Sequence, residues 1–322
     1  MKKNLLFLII WFLPFLVQGQ KLYPYLFKNN KWGFVDEQLN VKVKPSYDFV
    51  LPFKDGIAAV QLREGWGFIN MEGKLITRIE FVDFKMWNEG LIPVQNNIGN
   101  WGFIDYTGKT KIKFIYDNAD MFRFGLAPAS LNNKYGFINK SGQFKIKNKY
   151  IYLSPFNKDG FTSALLSFNE GQVIDTLGNI HPHLPSYFLS IPHEGVYYKI
   201  NPQNRKYGFF NLIENKAITA YEYDMAYNFN NGLAPVKKNG KWGYIDKKNN
   251  LVIDFKYDDA SAFSDGLAVV KVDSKKGIIN LKGEFVFHPQ FDTANDFQNE
   301  VAEVEVNDLI FYIRVDGKIL KE

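Results

Sequence analysis

An aromatic residue followed by glycine recurs through this chain at a nearly constant interval, and a constant interval restricts the fold more than any local propensity does. The phrases KWGFVD, GWGFIN, NWGFID, KYGFIN, KYGFFN and KWGYID place the pair at Trp32-Gly33, Trp66-Gly67, Trp101-Gly102, Tyr135-Gly136, Tyr207-Gly208 and Trp242-Gly243. KKGIIN puts Lys276-Gly277 at the same point. Weaker copies at Gly171 (GQVID) and Ile310 (IFYIR) complete the series, with successive spacings of 34 to 36 residues. Nine copies of one supersecondary unit therefore run along almost the whole chain.

Each unit carries a second phrase, an aromatic-Asp pair followed by an aromatic and then GLAPV or a relative, as in YDMAYNFNNGLAPV and YDDASAFSDGLAVV. The distance from Asp to Gly is the same in four copies, Asp48 to Gly56, Asp117 to Gly125, Asp224 to Gly232 and Asp258 to Gly266. On these residues the chain resembles the bacterial WG-repeat family, whose units hold a Trp-Gly dipeptide within short β-strands, over about residues 22 to 322. The resemblance implies a repeat scaffold with binding as its role. It supplies no catalytic motif to carry over.

Within one unit, LAPVKKNGKWGYIDKKNNLVI predicts a strand, a tight turn at Asn239-Gly240, a second strand, another turn and a short third strand. The second turn opens at an Asp or Asn such as Asp36, Asn70, Asp105, Asp175, Asp246 or Asn280, whose side chain can bond the backbone two residues on. Three residues later stands a glycine or asparagine suited to positive φ, for example Gly73, Gly108, Asn249 or Gly283. Alternation puts Trp242, Tyr244 and Asp246 on one face of the strand, with Gly243 and Ile245 on the other. Glycine at Gly33, Gly67, Gly102, Gly136, Gly208 and Gly243 predicts a place where the adjacent unit lies flat on the strand.

Three short strands per unit make an all-β protein with next to no helix. Nine units of about 35 residues are more and shorter than typical propeller blades, and the weakened last unit resembles a cap. An open, twisted β-repeat array of short antiparallel strands and hairpins is favoured, with a closed β-propeller as the alternative.

Residues 1–19 stand apart. Lys2 and Lys3 precede a 13-residue apolar run, Leu5 to Val17, that contains Pro14 and ends in small or polar residues near Gly19. That is the pattern of a secretory signal peptide, and it is shorter than the roughly 20 residues a membrane span requires. The expected mature chain, residues 20–322, has no further apolar run long enough to span. It is expected in the periplasm or outside the cell. The chain has no cysteine, and its 39 basic and 34 acidic residues are interspersed, so neither disulfides nor a nucleic-acid footprint is expected. With 46% hydrophobic and 17% aromatic residues, a packed core is available.

The unit near residues 162–206 departs from the pattern and holds His181, His183 and His193 beside Glu194. Such a set is a weak zinc candidate, since alternate residues of an extended segment point the same way. Pro182, Pro185 and Pro192 favour instead a degenerate unit or an elbow between sub-arrays. The repeated aspartates Asp48, Asp83, Asp117, Asp224, Asp258 and Asp292 are too sparse for a calcium loop and are assigned to capping and turns. No nucleophile elbow, phosphate loop or H-E-x-x-H motif is present. The expected function is a secreted, non-catalytic scaffold binding a protein partner, with no cofactor. A carbohydrate-binding module using exposed aromatics is the alternative, and a metal-dependent hydrolase at the irregular unit a third reading.

Overall fold

In the computed structural model, which describes residues 21–168, 170–182, 184 and 191–321, the chain forms nine small antiparallel sheets and no helix among the described residues. Residues 1–19, expected to be a signal peptide, and His183 lie outside the described residues. The all-β tandem array expected from the sequence is what is found, one sheet per unit, and no sheet closes on itself into a barrel.

The eighth sheet shows how the sequence builds a unit. Its strands are Asp259–Ala260, Leu267–Val272, Lys275–Asn280 and Phe285–Phe291, paired in chain order. Complete units thus have four strands rather than three. The extra strand is the two-residue stretch after each aromatic-Asp pair, held by Asp259↔Lys271 and Ala260↔Val270, and it is too short to show any alternation. The sixth sheet, by contrast, consists among the described residues of Val196–Ile200 and Tyr207–Asn211.

Between the first two strands the chain reverses through a two-residue turn. Asp265 and Gly266 both have positive φ (51° and 78°), and Ser264 and Leu267 exchange backbone hydrogen bonds of 2.8 and 3.0 Å. Consecutive positive-φ residues are what the strand-twist-matched primed hairpin turn requires, which explains the recurrent Asp-Gly, Asn-Gly and Glu-Gly at this point. The outer turn behaves as expected: Asp246 accepts the backbone N–H of Lys248 and of Asn250, each at 2.8 Å, and Asn249 takes φ 66°.

The glycine after the aromatic has a different cause from the one expected. Its neighbour is the outer strand of its own unit, not the adjacent unit. In the seventh sheet Trp242 pairs with Tyr257 and Tyr244 with Ile253, so three residues of the central strand face five of the outer strand. The bulge presses the outer backbone against the central strand, and a Cβ built on Gly243 would lie 2.6 Å from the Ile253 carbonyl oxygen. Gly102 meets the Ile112 carbonyl in the same way, at 2.8 Å. The alternating faces of the strand are also both covered: Trp242, Tyr244 and Ile245 are all buried.

Adjacent sheets interlock through an aromatic pair that recurs along the array. The residue two places after the WG-position aromatic meets the aromatic just ahead of the next unit's hairpin turn. Examples are Phe34 with Phe53 (ring centroids 4.6 Å apart), Phe103 with Phe122 (5.0 Å), Phe137 with Phe156 (4.2 Å), Phe209 with Phe229 (5.0 Å) and Tyr244 with Phe263 (4.9 Å). Buried apolar clusters join each sheet to the next along the series.

The succession of sheets returns to its start. One cluster combines Trp32, Phe34 and Tyr47 of the first sheet with Val301, Tyr312 and Leu320 of the last. Tyr312 lies edge-on to Trp32 at 5.5 Å and donates to the Val50 carbonyl at 3.3 Å, while the Arg314 guanidinium sits 4.1 Å from the centre of the Tyr23 ring. Leu26 and Lys321 form a parallel bridge. The ninth unit therefore packs on the first instead of ending the array as a cap.

Because the obstacle at Gly243 is backbone, Gly243→Ala should destabilise the protein by about 1–3 kcal/mol. Gly67→Ala should cost less, since its nearest obstacle is the Ile79 side chain at 2.9 Å. Urea unfolding of both variants beside the parent checks the order.

Candidate functional site

The residues singled out in the irregular unit are best understood by comparison with their counterparts in regular units. At five junctions the residue before the inner hairpin turn reaches across to the following unit and donates a hydrogen bond to the carbonyl one residue before that unit's equivalent position. Lys54 donates to Trp87 O, Asn88 to Phe122 O (3.1 Å), Asn157 to Pro192 O, His193 to Phe229 O through Nδ1 (2.7 Å) and Ser264 to Phe297 O (2.6 Å). His193 is thus one stitch in a series running from unit to unit, and its bond to a carbonyl fixes the Nδ1–H tautomer.

Glu194 has a counterpart too. Its carboxylate accepts the Gly232 N–H at 3.2 Å and pairs with Lys247 at 3.0 Å, just as Glu89 accepts the Gly125 N–H at 3.1 Å and pairs with Lys140 at 3.2 Å. Burial would raise Glu194, but Lys247 and the Gly232 N–H outweigh it and hold its pKa below the usual range. His181 turns back to Asp175 of its own sheet, Nε2 to Oδ2 at 3.1 Å. Among the described residues no three histidine or carboxylate side chains gather as a metal-holding group. The structure thus directs His181 and His193 to different partners, and His183 lies outside the described residues.

The repeated aspartates clamp one unit to the next. Asp258 pairs with Lys241 of the seventh sheet at 2.5 Å and accepts the Asp273 N–H, in the hairpin of the eighth, at 2.7 Å. Asp48 does the same with Lys31 and the Arg63 N–H, Asp292 with Lys275 and the Asn307 N–H, and Asp224 pairs with Lys206. The lysine bond is the main reason that Asp48, Asp224, Asp258 and Asp292 all have lowered pKa values. Asp117 accepts the Asn133 N–H at 2.8 Å, whereas Asp83 accepts the adjacent Phe84 N–H at 2.8 Å and lies 3.9 Å from Lys85. The expected local capping and turn role is replaced by a longer-range clamp, since the backbone N–H groups that Asp48, Asp117, Asp258 and Asp292 accept lie 15 or 16 residues on.

The repeat-defining aromatics are structural: Trp32, Trp101 and Trp242 are 4%, 4% and 2% exposed, with Trp66, Tyr135 and Tyr207 half-buried. Where the eighth unit has Lys276 in place of the aromatic, a polar cleft of about 260 Å³ opens, lined by Tyr227, Asp259, Ser261, Lys271, Asn295 and Asp296 among others. Tyr227 is stacked on Trp242 with centroids 5.0 Å apart. The Ser261 hydroxyl donates to the Ala262 carbonyl and accepts the Val269 N–H, and Asn295 donates to Glu303 at 3.2 Å. The remaining carboxylates and ammonium groups give the cleft both signs of charge, suited to a small polar ligand. Its sequence signal is the break in the repeat, lysine where six other units carry Trp or Tyr.

The WG containing repeat model matches seven times, at residues 32–65, 66–97, 101–135, 135–164, 207–242, 242–275 and 277–309. The chain belongs to the WG containing repeat family. The matches omit residues 165–206, the stretch that holds most of the irregular unit. None of the curated proteins matches the chain. Among solved structures, "Crystal structure of the eukaryotic initiation factor" aligns over 93% of this chain and 95% of that one, at 11% identity and a TM-score of 0.56. BamB from Moraxella catarrhalis aligns over 82% of this chain and 95% of that one, at 9% identity and a TM-score of 0.43. The first likeness bears on the fold of this WG-repeat chain and not on its activity. No helix among the described residues is long and apolar enough to cross a membrane.

Two outcomes follow for these turns and for the cleft. The buried setting of Asp36 opposes ionisation, yet Asn40, Lys42 and the Gln38 N–H bring its pKa down to about 2. A carboxylate held below its unfolded value of about 3.8 stabilises the fold above that value, and the contribution disappears as pH falls toward 2. The urea midpoint of the parent should therefore drop across this window, and the drop should shrink in Asp36→Asn, which keeps the turn acceptor. At the cleft, Lys276→Trp restores the repeated aromatic and should raise stability by about 0.5–2 kcal/mol, read from the same denaturation series.

Proposed function

We propose that this WG-repeat protein is a secreted, non-catalytic scaffold that binds a protein partner along its extended repeat surface. The supporting observation is that the groups a catalytic reading would recruit are committed to the repeat. His193 and Glu194 stitch neighbouring units, His181 holds its own turn, and the repeated aspartates clamp hairpins. What varies between units is the outward-facing surface, which is how repeat arrays present modular binding faces. Secretion is proposed from the charged and apolar leader at residues 1–19.

The glycan alternative needs rings exposed at one repeated position. The periodic Phe122, Phe229 and Phe263 are buried and Phe53 is half-buried, and the exposed rings among the described residues, Phe124, Tyr152, Phe168 and Tyr227, stand at four different positions of the unit. Nothing in that arrangement favours a stacking row.

The test is affinity capture with residues 20–322 against solubilised envelope and culture medium of the source cells, with and without glycan digestion. A discrete protein retained after digestion is the expected result. Capture abolished by digestion would replace the protein partner with a glycan, and a turnover activity lost on changing one carboxylate pair would overturn the non-catalytic reading.

A further inference from the structure

The outer segments of the first four units, strands in the first, third and fourth and an irregular stretch in the second, share a charge pattern that the later units lack. Eight residues after the Asx that opens each outer turn stand Lys44, Arg78, Lys113 and Lys147. All four are exposed, and none has an ion-pair partner among the described residues. Two positions earlier, Lys42, Lys111 and Lys145 add a second row, in which Lys42 and Lys111 are paired with Asp36 and Asp105 at 3.1 and 3.2 Å. In the seventh and eighth units the first row reads Asp254 and His288, and the second Val252 and Val286.

Lysine on an edge strand also discourages unwanted strand pairing. That role needs charge of either sign and applies to every outer strand, so it does not explain four cations in register on four consecutive units and their loss afterwards. We propose that this arc, the outer faces of units one to four, is where the partner docks, and that the docking element is an extended acidic protein segment. The inference rests on the protein-partner reading above and adds the location and the charge of the contact.

Geometry separates this occupant from other polyanions. The units succeed one another around a circuit, so the four rows face progressively different directions and a flat lipid surface meets only part of them. A nucleic-acid duplex is too stiff to follow such an arc. Single-stranded nucleic acid uses stacking rings, whereas the closing rings of these outer strands, Tyr47, Tyr116 and Tyr150, are buried, and Phe114 and Phe144 are half-buried and packed against the apolar clusters. Between the cations lie exposed apolar side chains, Val41, Leu75 and Ile115, each about half exposed (50%, 50% and 51%). A peptide with acidic and apolar residues meets both kinds of group, and an acidic polysaccharide leaves the apolar ones unused.

The experiment compares full-length protein with the quadruple variant Lys44→Glu, Arg78→Glu, Lys113→Glu, Lys147→Glu. A charge-matched control carries Lys216→Glu, Lys248→Glu, Lys256→Glu and Lys282→Glu on later units. The probes are a labelled glutamate-leucine copolymer peptide, alginate, and vesicles containing phosphatidylglycerol, each titrated at two salt concentrations, with circular dichroism confirming that both variants fold. Expected is salt-sensitive binding of the peptide in preference to the other probes, weakened about tenfold or more by the row variant and little by the control. Equal weakening by both variants would show a net-charge effect and overturn the proposal, as would preference for alginate or vesicles. If the row variant still captures the partner found by affinity capture, the docking site is wrong and the scaffold reading stands. If the parent captures no protein at all, it is the scaffold reading that fails.

Discussion

The ring packed between consecutive sheets is the contact on which the array depends. A sheet of two to four short strands cannot bury enough apolar surface to stand alone. Here each sheet lends an aromatic from its central strand to a neighbour whose own aromatic comes from the loop before its hairpin, as Phe103 meets Phe122 and Tyr244 meets Phe263. Such pairs are worth about 0.5–1.5 kcal/mol beyond the area they bury, and they recur at almost every junction. The Trp-Gly pair serves this arrangement at one remove. The aromatic fills the junction, and the glycine lets the outer strand bulge onto the central strand without collision.

The polar bonds between units are weaker singly and act by fixing register. The Lys–Asp clamps are substantially exposed, and exposed pairs contribute little to stability. What they add is the accompanying backbone bond: Asp258 holds the Asp273 N–H in the tip of the next hairpin and so sets where that hairpin lies. The stitches by Asn88, His193 and Ser264 do the same beside the primed turns. A histidine beside a glutamate in an irregular loop is thereby explained by its place in the repeat, with Glu89 and Lys140 showing the same arrangement where no histidine is involved.

How much of this was legible in the sequence depended on the range of each interaction. The outer turns, with Asp246 bonding two and four residues ahead, are local and were readable from residue type and spacing. The role of Gly243 was not, because its obstacle is Ile253, ten residues away and brought close by a bulge that leaves no compositional trace. The strand Asp259–Ala260 escaped notice because two residues have no period. The contact of Tyr312 with Trp32 joins residues 280 apart, and nothing in either unit announces it. The lysine at position 276 was visible as a broken phrase, while the cleft beside it depends on residues of three successive units.

The repeat also determines where this protein is free to specialise. In each outer strand one set of positions is bound to the core: Val43, Ile112, Ile253 and Phe287 are buried, and so are the closing rings Tyr47, Tyr116, Tyr257 and Phe291. The alternate positions, occupied by Lys44, Lys113, Asp254 and His288, are exposed and lie outside that core, with the His288 ring resting 5.1 Å from Phe285 at its edge. Charge there can change sign from one unit to the next at small cost in stability, whereas a change at the interleaved apolar positions creates a cavity or an overlap. An array built this way keeps its fold through nine imperfect copies and still acquires a basic arc on one side.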